Sequence, residues 1–298
     1  MRRELDWQRD GADWPNREAS RFVRAGGLRW HVQVLGSGPS ILLVHGTGAA
    51  SHSWRDVAPR LAERFTVLVP DLPGHGFTQR PARGGLSLPG MAQALSDLLE
   101  ALGESPALAV GHSAGAAILC RMSLEGRISP ESIVSVNGAL LPFRGVAGRI
   151  FSPLAKLLTL NPIIPSVFAW RASDPAVVEE LIRDTGSDLD PEGMRLYARL
   201  AASRRHVAAA LGMMASWDLR DLAENLPGLG PRLVLVVGSE DRFVSPVDAV
   251  RVQRRVPGSE LISLPGLGHL AHEERPAEVA ELLRGRVSAP GDGIGSDD

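Results

Sequence analysis

An apolar run that ends in a serine between glycines constrains this chain more than any other feature. Ala107-Leu108-Ala109-Val110 reads as a buried strand and leads directly into Gly111-His112-Ser113-Ala114-Gly115. A G-x-S-x-G elbow puts its serine on a strained strand-to-helix turn, and its glycines are needed because the two backbones pass so closely there. Ala114, Gly115, Ala116 and Ala117 supply further small residues beyond the turn. The pentapeptide alone is compatible with an ordinary tight turn; behind a strand, it predicts Ser113 as a nucleophile.

A serine nucleophile needs a base, and the base needs an orienting carboxylate. Arg232 to Gly238 reads as a buried strand, and Asp241 stands just beyond its C-terminal end. Glu260 to Gly266 reads as the last strand, and His269 follows on a loop before the helical pattern Ala277 to Leu283. The order Ser, Asp, His is the one expected of the α/β-hydrolase fold. In that scheme His269 takes the proton of Ser113 during attack and returns it to the leaving group, while Asp241 fixes the imidazole tautomer. The oxyanion hole would be the backbone N–H groups of Ala114 and Thr47, the latter in the His45-Gly46-Thr47-Gly48 loop behind the strand Ile41 to Val44.

Each assignment has a rival. Glu240 and Asp218 are alternative acids, and His272 competes with His269. Otherwise His272, Glu273 and Glu274 read as a solvated helix start. His45 and His112 flank the site as orienting or packing groups and as candidate substrate contacts. His75, in a Pro/Gly turn after the strand Thr66 to Val69, reads as structural.

Strand and helix patterns alternate along the chain. Arg21 to Leu35 suggests a hairpin turning at Gly26-Gly27 and Ser51 to Phe65 a helix; further helices fit Leu88 to Leu102, Ala114 to Leu124, Val247 to Val256 and Ala277 to Val287. Such alternation predicts an α/β protein with a mainly parallel, doubly wound sheet of about eight strands and a site at the strands' C-terminal ends. After the sixth strand, Ser132 to Val136, the chain turns helical with no clear strand, which is where a helical cap would be inserted. The expected division is an N-terminal extension over 1–20, a core over 21–142 and 217–287, a helical cap over 143–216 and a disordered Gly/Ser/Asp-rich tail over 288–298.

A chain of 298 residues with 44% hydrophobic residues can bury a large core. A net charge of -2 argues against general affinity for nucleic acid. The single cysteine, Cys120, excludes an internal disulfide and reads as buried packing. No zinc cluster, Walker loop or dinucleotide fingerprint is visible, so neither metal nor cofactor is expected. The amino terminus is charged throughout with no signal-peptide core, which predicts a cytoplasmic chain.

Leu140 to Arg171 contains Arg144, Arg149, Lys156 and Arg171 but no acidic residue. Its neutral run Leu157 to Trp170 is too short to span a bilayer and holds Pro162 and Pro165. A basic, apolar lid fits three roles: peripheral contact with an anionic membrane, cover for a large apolar ligand that carries carboxylates, or packing onto the core with its cations in water.

The segments Asp6 to Phe22 (DWQRDGADWPNREASRF), Ser87 to Met91, Asn137 to Phe143, His206 to Leu219 (HVAAALGMMASWDL) and Leu264 to Pro276 (LPGLGHLAHEERP) resemble the magnesium-chelatase accessory proteins of bacteriochlorophyll biosynthesis, a branch of the α/β-hydrolase superfamily. The likeness covers nearly the whole chain. Its hydrolase motifs are widely shared, whereas DWPNREAS and GMMASWDL are far more specific. The resemblance implies a photosynthetic bacterium, a role in or beside magnesium insertion into protoporphyrin, magnesium-chelatase subunits as partners and a place at the periphery of the photosynthetic membrane. Magnesium insertion itself belongs to a separate multi-subunit ATPase, which this chain does not resemble. A porphyrin or its ester is the small-molecule substrate implied, with Arg144, Arg149, Lys156 or Arg171 meeting carboxylates and Phe168, Trp170, Met213 and Met214 covering the macrocycle. Two expectations of different class stand side by side: a serine hydrolase of carboxylic esters, and a porphyrin-binding or chelatase-assisting protein whose triad is unused. A lipase-like enzyme at the membrane surface is a third.

Overall fold

The computed structural model describes residues 4–82, 84–142, 167, 171 and 174–287. Its strands are β1 Ser20–Ala25, β2 Leu28–Leu35, β3 Ser40–Val44, β4 Thr66–Pro70, β5 Leu108–His112, β6 Ser132–Val136, β7 Arg232–Gly238 and β8 Glu260–Leu264. They form one sheet in the order β1-β2-β4-β3-β5-β6-β7-β8. β1 and β2 are an antiparallel hairpin and β2 is antiparallel to β4; every pair from β4 to β8 is parallel. The hairpin turns on Gly26 and Gly27, both at positive φ (55° and 75°), where a two-residue turn matches the strand twist and side chains are strained.

The described helices are α1 Trp7–Asp10, α2 Ala58–Leu61, α3 Leu88–Leu102, α4 Ala114–Leu124, α5 Pro175–Asp184, α6 Pro191–Ala201, α7 Arg204–Ala215, α8 Arg220–Asn225, α9 Pro246–Gln253, α10 Ala271–Glu274 and α11 Pro276–Arg284. β3, β5 and β6 are buried along their whole length because helices cover both faces of the sheet. The period of two divides their residues between layers. Leu42, Val44, Ala109 and Ile133 join the core cluster that includes Met91, Leu95 and Leu98 of α3 and Ile118 of α4. Ile41, Leu43, Leu108, Val110 and Val134 join the opposite cluster with Leu61 of α2 and Val279 and Leu283 of α11.

Local signals set the bounds of α3: Ser87 Oγ accepts the Gly90 N–H, and Gly103 closes the helix at φ 68°. The helix expected over Ser51 to Phe65 is instead a 3-10 turn, Ser51–Trp54, followed by the short α2. Two causes are visible. Pro59 lacks an N–H and suits only a helix's first turn, and Ser51, Ser53 and Arg55 are drawn into hydrogen bonds with distant parts of the chain.

The described residues between β6 and β7 hold α5 to α8 and no strand. Helices α5, α6 and α7 start on side-chain caps, Asp174, Asp190 and Ser203. The N-terminal segment lies against α6: Asp13 pairs with Arg195 and Arg199, Arg199 donates to the Asp10 carbonyl, and Trp14 packs with Ala50, Phe77, Leu196 and Leu200. Among the described residues no helix is long and apolar enough to cross a membrane. Arg144, Arg149 and Lys156 lie outside the described residues, and Arg171 is exposed.

Candidate active site

Ser113 follows β5 at φ 51° and ψ -117°, a conformation that costs a non-glycine residue about 1–3 kcal/mol. Its N–H donates to the Val136 carbonyl at 3.0 Å and its own carbonyl accepts the Ala139 N–H at 3.1 Å, so the strained turn is braced from the end of β6. The flanking glycines are steric requirements. A Cβ on Gly111 would collide with the backbone of Gly115 and Ala116, and one on Gly115 with the carbonyl oxygens of Val44 and His45.

Beyond β7, Asp241 turns one carboxylate oxygen to the backbone and the other to a histidine. Oδ1 accepts the N–H groups of Phe243 and Val244, each at 2.8 Å. Oδ2 accepts from His269 Nδ1 at 2.8 Å and from Asn137 Nδ2 at 2.7 Å. With its proton on Nδ1, a neutral His269 carries a lone pair on Nε2, the tautomer a general base requires. Ser113, His269, Thr47 and Ala114 all line one cavity. Of the rival acids, Asp218 lines the same cavity and pairs with Arg220 at 2.6 Å, and Glu240 is exposed.

His272 and Glu273 are not a solvated helix start. Both are buried, because α10 is tucked under the turn at 51–55. His272 Nε2 lies 2.7 Å from Ser53 Oγ, and burial, aided by the nearby His269, pulls its pKa down to about 3. Glu273 receives Arg55 Nη1 at 2.6 Å, the Tyr197 hydroxyl at 2.7 Å and Ser53 Oγ at 2.8 Å.

Of the expected substrate contacts, His112 and Met214 line the cavity. His45 and Met213 do not. His45 is wholly buried, with Nδ1 donating to the Gly46 carbonyl at 2.7 Å and Nε2 accepting the Leu72 N–H at 2.9 Å, so it fastens two loops together. Met213 is buried behind the wall, where its sulfur accepts the Thr47 hydroxyl at 3.4 Å. Arg144, Phe168 and Trp170 lie outside the described residues. His75 is buried in its turn beside the Pro73 carbonyl, and burial pushes the Cys120 thiol up to about 12.

The cavity measures about 790 Å³. Val178, Ile182, Leu211 and Met214 supply apolar wall, and exposed Leu181 and Phe243 stand at its mouth. Several of its polar groups are already engaged: the Tyr197 hydroxyl by Glu273, and His206 by the Gly76 N–H and the Gly48 carbonyl. A second His–Asp pair, His31 and Asp71 at 2.8 Å, is wholly buried and outside the cavity lining. Asp71 also accepts the N–H groups of Ser51 and Phe77, tying the loops after β3 and β4. Sequence reasoning left both Asp71 and Asn137 unassigned, although each stands directly after a strand. Among the described residues, no group of three or more His, Cys, Asp or Glu side chains is placed to hold a metal ion.

Residues 41–282 match the model of a family described as the alpha/beta hydrolase family. The chain is 37% identical to the Magnesium-chelatase 30 kDa subunit of Rhodobacter capsulatus, over 88% of its own length and 92% of the relative's. It is 28% identical to a pimeloyl-(acyl-carrier protein) methyl ester esterase of Stenotrophomonas maltophilia, over 88% of this chain and 99% of that one. Among solved structures, an alpha/beta hydrolase fold protein from Burkholderia ambifaria superposes with a TM-score of 0.74 at 23% identity, covering 95% of this chain and 99% of that one.

Proposed function

The chain belongs to the α/β-hydrolase family, in the branch of the magnesium-chelatase 30 kDa subunit, and on that premise we propose that it is a serine hydrolase of carboxylic esters. One observation carries the reading: His269, hydrogen-bonded to the buried Asp241, lines the same cavity as a serine held in a strained elbow. Ser113 Oγ attacks the ester carbon as His269 Nε2 takes its proton, and the N–H groups of Ala114 and Thr47 receive the oxyanion. His269 then protonates the departing alcohol. Water, deprotonated by the same imidazole, cleaves the acyl-serine and releases the acid.

The cavity supports a bulky, largely apolar substrate. Its volume is at the upper end of the range for small-molecule sites, and much of its wall is apolar, with the Tyr197 hydroxyl and His206 already engaged, so shape and apolar contact do most of the selecting. The described helices α5 to α7, between β6 and β7, act as the cap over this cavity. We place the substrate beside magnesium chelation, with chelatase subunits as partners, because the relative of Rhodobacter capsulatus carries that name.

The test is labelling of the full chain with a fluorophosphonate probe, followed by site mapping, beside Ser113→Ala. Stoichiometric labelling at Ser113, absent from the variant, is expected. A folded protein that takes no label would overturn the hydrolase reading in favour of a ligand-binding one.

A further inference from the structure

Asn137 stands directly after β6 at φ 46°, one of three non-glycine residues with positive φ among the described residues. Asparagine tolerates that region better than most side chains. Its side chain is buried and almost fully used. Nδ2 donates to Asp241 Oδ2 at 2.7 Å and to the Gly268 carbonyl at 2.8 Å, while Oδ1 accepts the Gly238 N–H at 3.0 Å. One amide therefore grips the candidate acid, the residue directly before the candidate base, and the end of β7. Its neighbours on the same turn grip the candidate nucleophile, since the Val136 carbonyl and the Ala139 N–H hold the backbone of Ser113.

The choice of oxygen matters. Asp241 Oδ1 is already fixed by two backbone N–H groups, and Asn137 donates to Oδ2, the oxygen that receives His269. That bond fixes the direction of the remaining lone pair and stabilises the carboxylate charge, which keeps the shared proton on His269 Nδ1. We propose that Asn137 is a positioning residue that acts through Asp241 and Gly268 to hold His269 in register with Ser113; the proposal rests on the hydrolase reading. The titratable groups facing His269 are Asp241, His112 with its ring centroid at 4.7 Å, and His272.

Two variants of the full chain test this. Asn137→Asp keeps the shape and tolerates positive φ, but places a second carboxylate one hydrogen bond from Asp241. Two carboxylates that close share one proton instead of both ionising, so Asp241 Oδ2 is drawn away from His269: the His269 Nδ1–H resonance in NMR moves upfield, and kcat on a p-nitrophenyl ester falls about 10-fold or more. Asn137→Ala removes the grip, and kcat falls about 10- to 100-fold with KM within about twofold. Folded variants with an unmoved His269 Nδ1–H resonance and unchanged kcat would overturn the proposal, as would a loss confined to thermal stability. If Asn137→Ala does not fold, Asn137→Asp decides. A wild type that hydrolyses no ester sinks the hydrolase reading, while the NMR shift still judges Asn137.

Discussion

At the scale of single residues, the site depends on two side chains held where glycine would be at ease. Ser113 and Asn137 both sit at positive φ; Ser113 is braced by the turn after β6, and Asn137 by β7 and the Gly268 carbonyl. The strain at Ser113 can be measured. Ser113→Ala keeps a Cβ in the strained conformation, whereas Ser113→Gly removes it, so the glycine variant should be more stable than the alanine variant by about 1 kcal/mol, even after its extra unfolded-state entropy. Urea denaturation of the two inactive proteins checks this, and equal midpoints would mean the elbow stores no strain. Ser113, Asp241 and His269 could be picked out as candidates from the sequence because each follows a strand within a few residues, so a local pattern marks it. Asn137 was not, because what defines it is a partner 104 positions away. An asparagine after a strand looks like any other turn residue until the fold brings the ends of β6 and β7 together.

Elements tell the same story one level up. The bounds of α4 and β6 were readable to the residue, and those of α3 as well, since caps and hydrophobic periodicity are local. The segment 51–65 and the start of α10 were misread because a buried polar network overrides their local character. Arg55, 6% exposed at its side chain, reaches Glu273 of α10 and Asp190 at the cap of α6, while Tyr197 of α6 donates to the same Glu273. This network joins the core to the segment that walls the cavity. Removing one partner leaves a buried charge without compensation, so Arg55→Met should destabilise the protein by about 3–5 kcal/mol. Replacing both members of the pair, Arg55→Met with Glu273→Met, should recover much of that loss. A double variant as unstable as the single one would show that Arg55 matters for its packing, and that the ion pair contributes little.

For the molecule as a whole, the distribution of histidine sets an acid limit on the fold. All eight histidines are buried. Burial holds His45, His52, His75, His112, His206 and His272 below the ordinary imidazole value, His206 at about 4 and His272 at about 3. In the unfolded chain each returns to about 6.5. Between the two values only the unfolded chain takes up the proton, so stability is fully present above about pH 6.5 and is lost as the pH falls toward the folded values. Each such histidine contributes a slope of up to about 1.4 kcal/mol per pH unit. Glu273 works in the opposite direction, since burial pushes its carboxyl up and the fold is the first to protonate it, but it is one group against six. Several histidines acting together can remove a typical domain stability of about 5–15 kcal/mol within about two pH units. The urea midpoint should therefore fall steeply between pH 7 and pH 5, with unfolding in buffer alone somewhat below that. Midpoints measured by circular dichroism at both pH values decide it, and equal values would mean that the buried imidazoles are protonated in place. The outcome also bears on activity: below the pH at which the fold begins to open, a falling kcat/KM reports unfolding as well as His269, so the fall in kcat expected of Asn137→Asp has to be read above it.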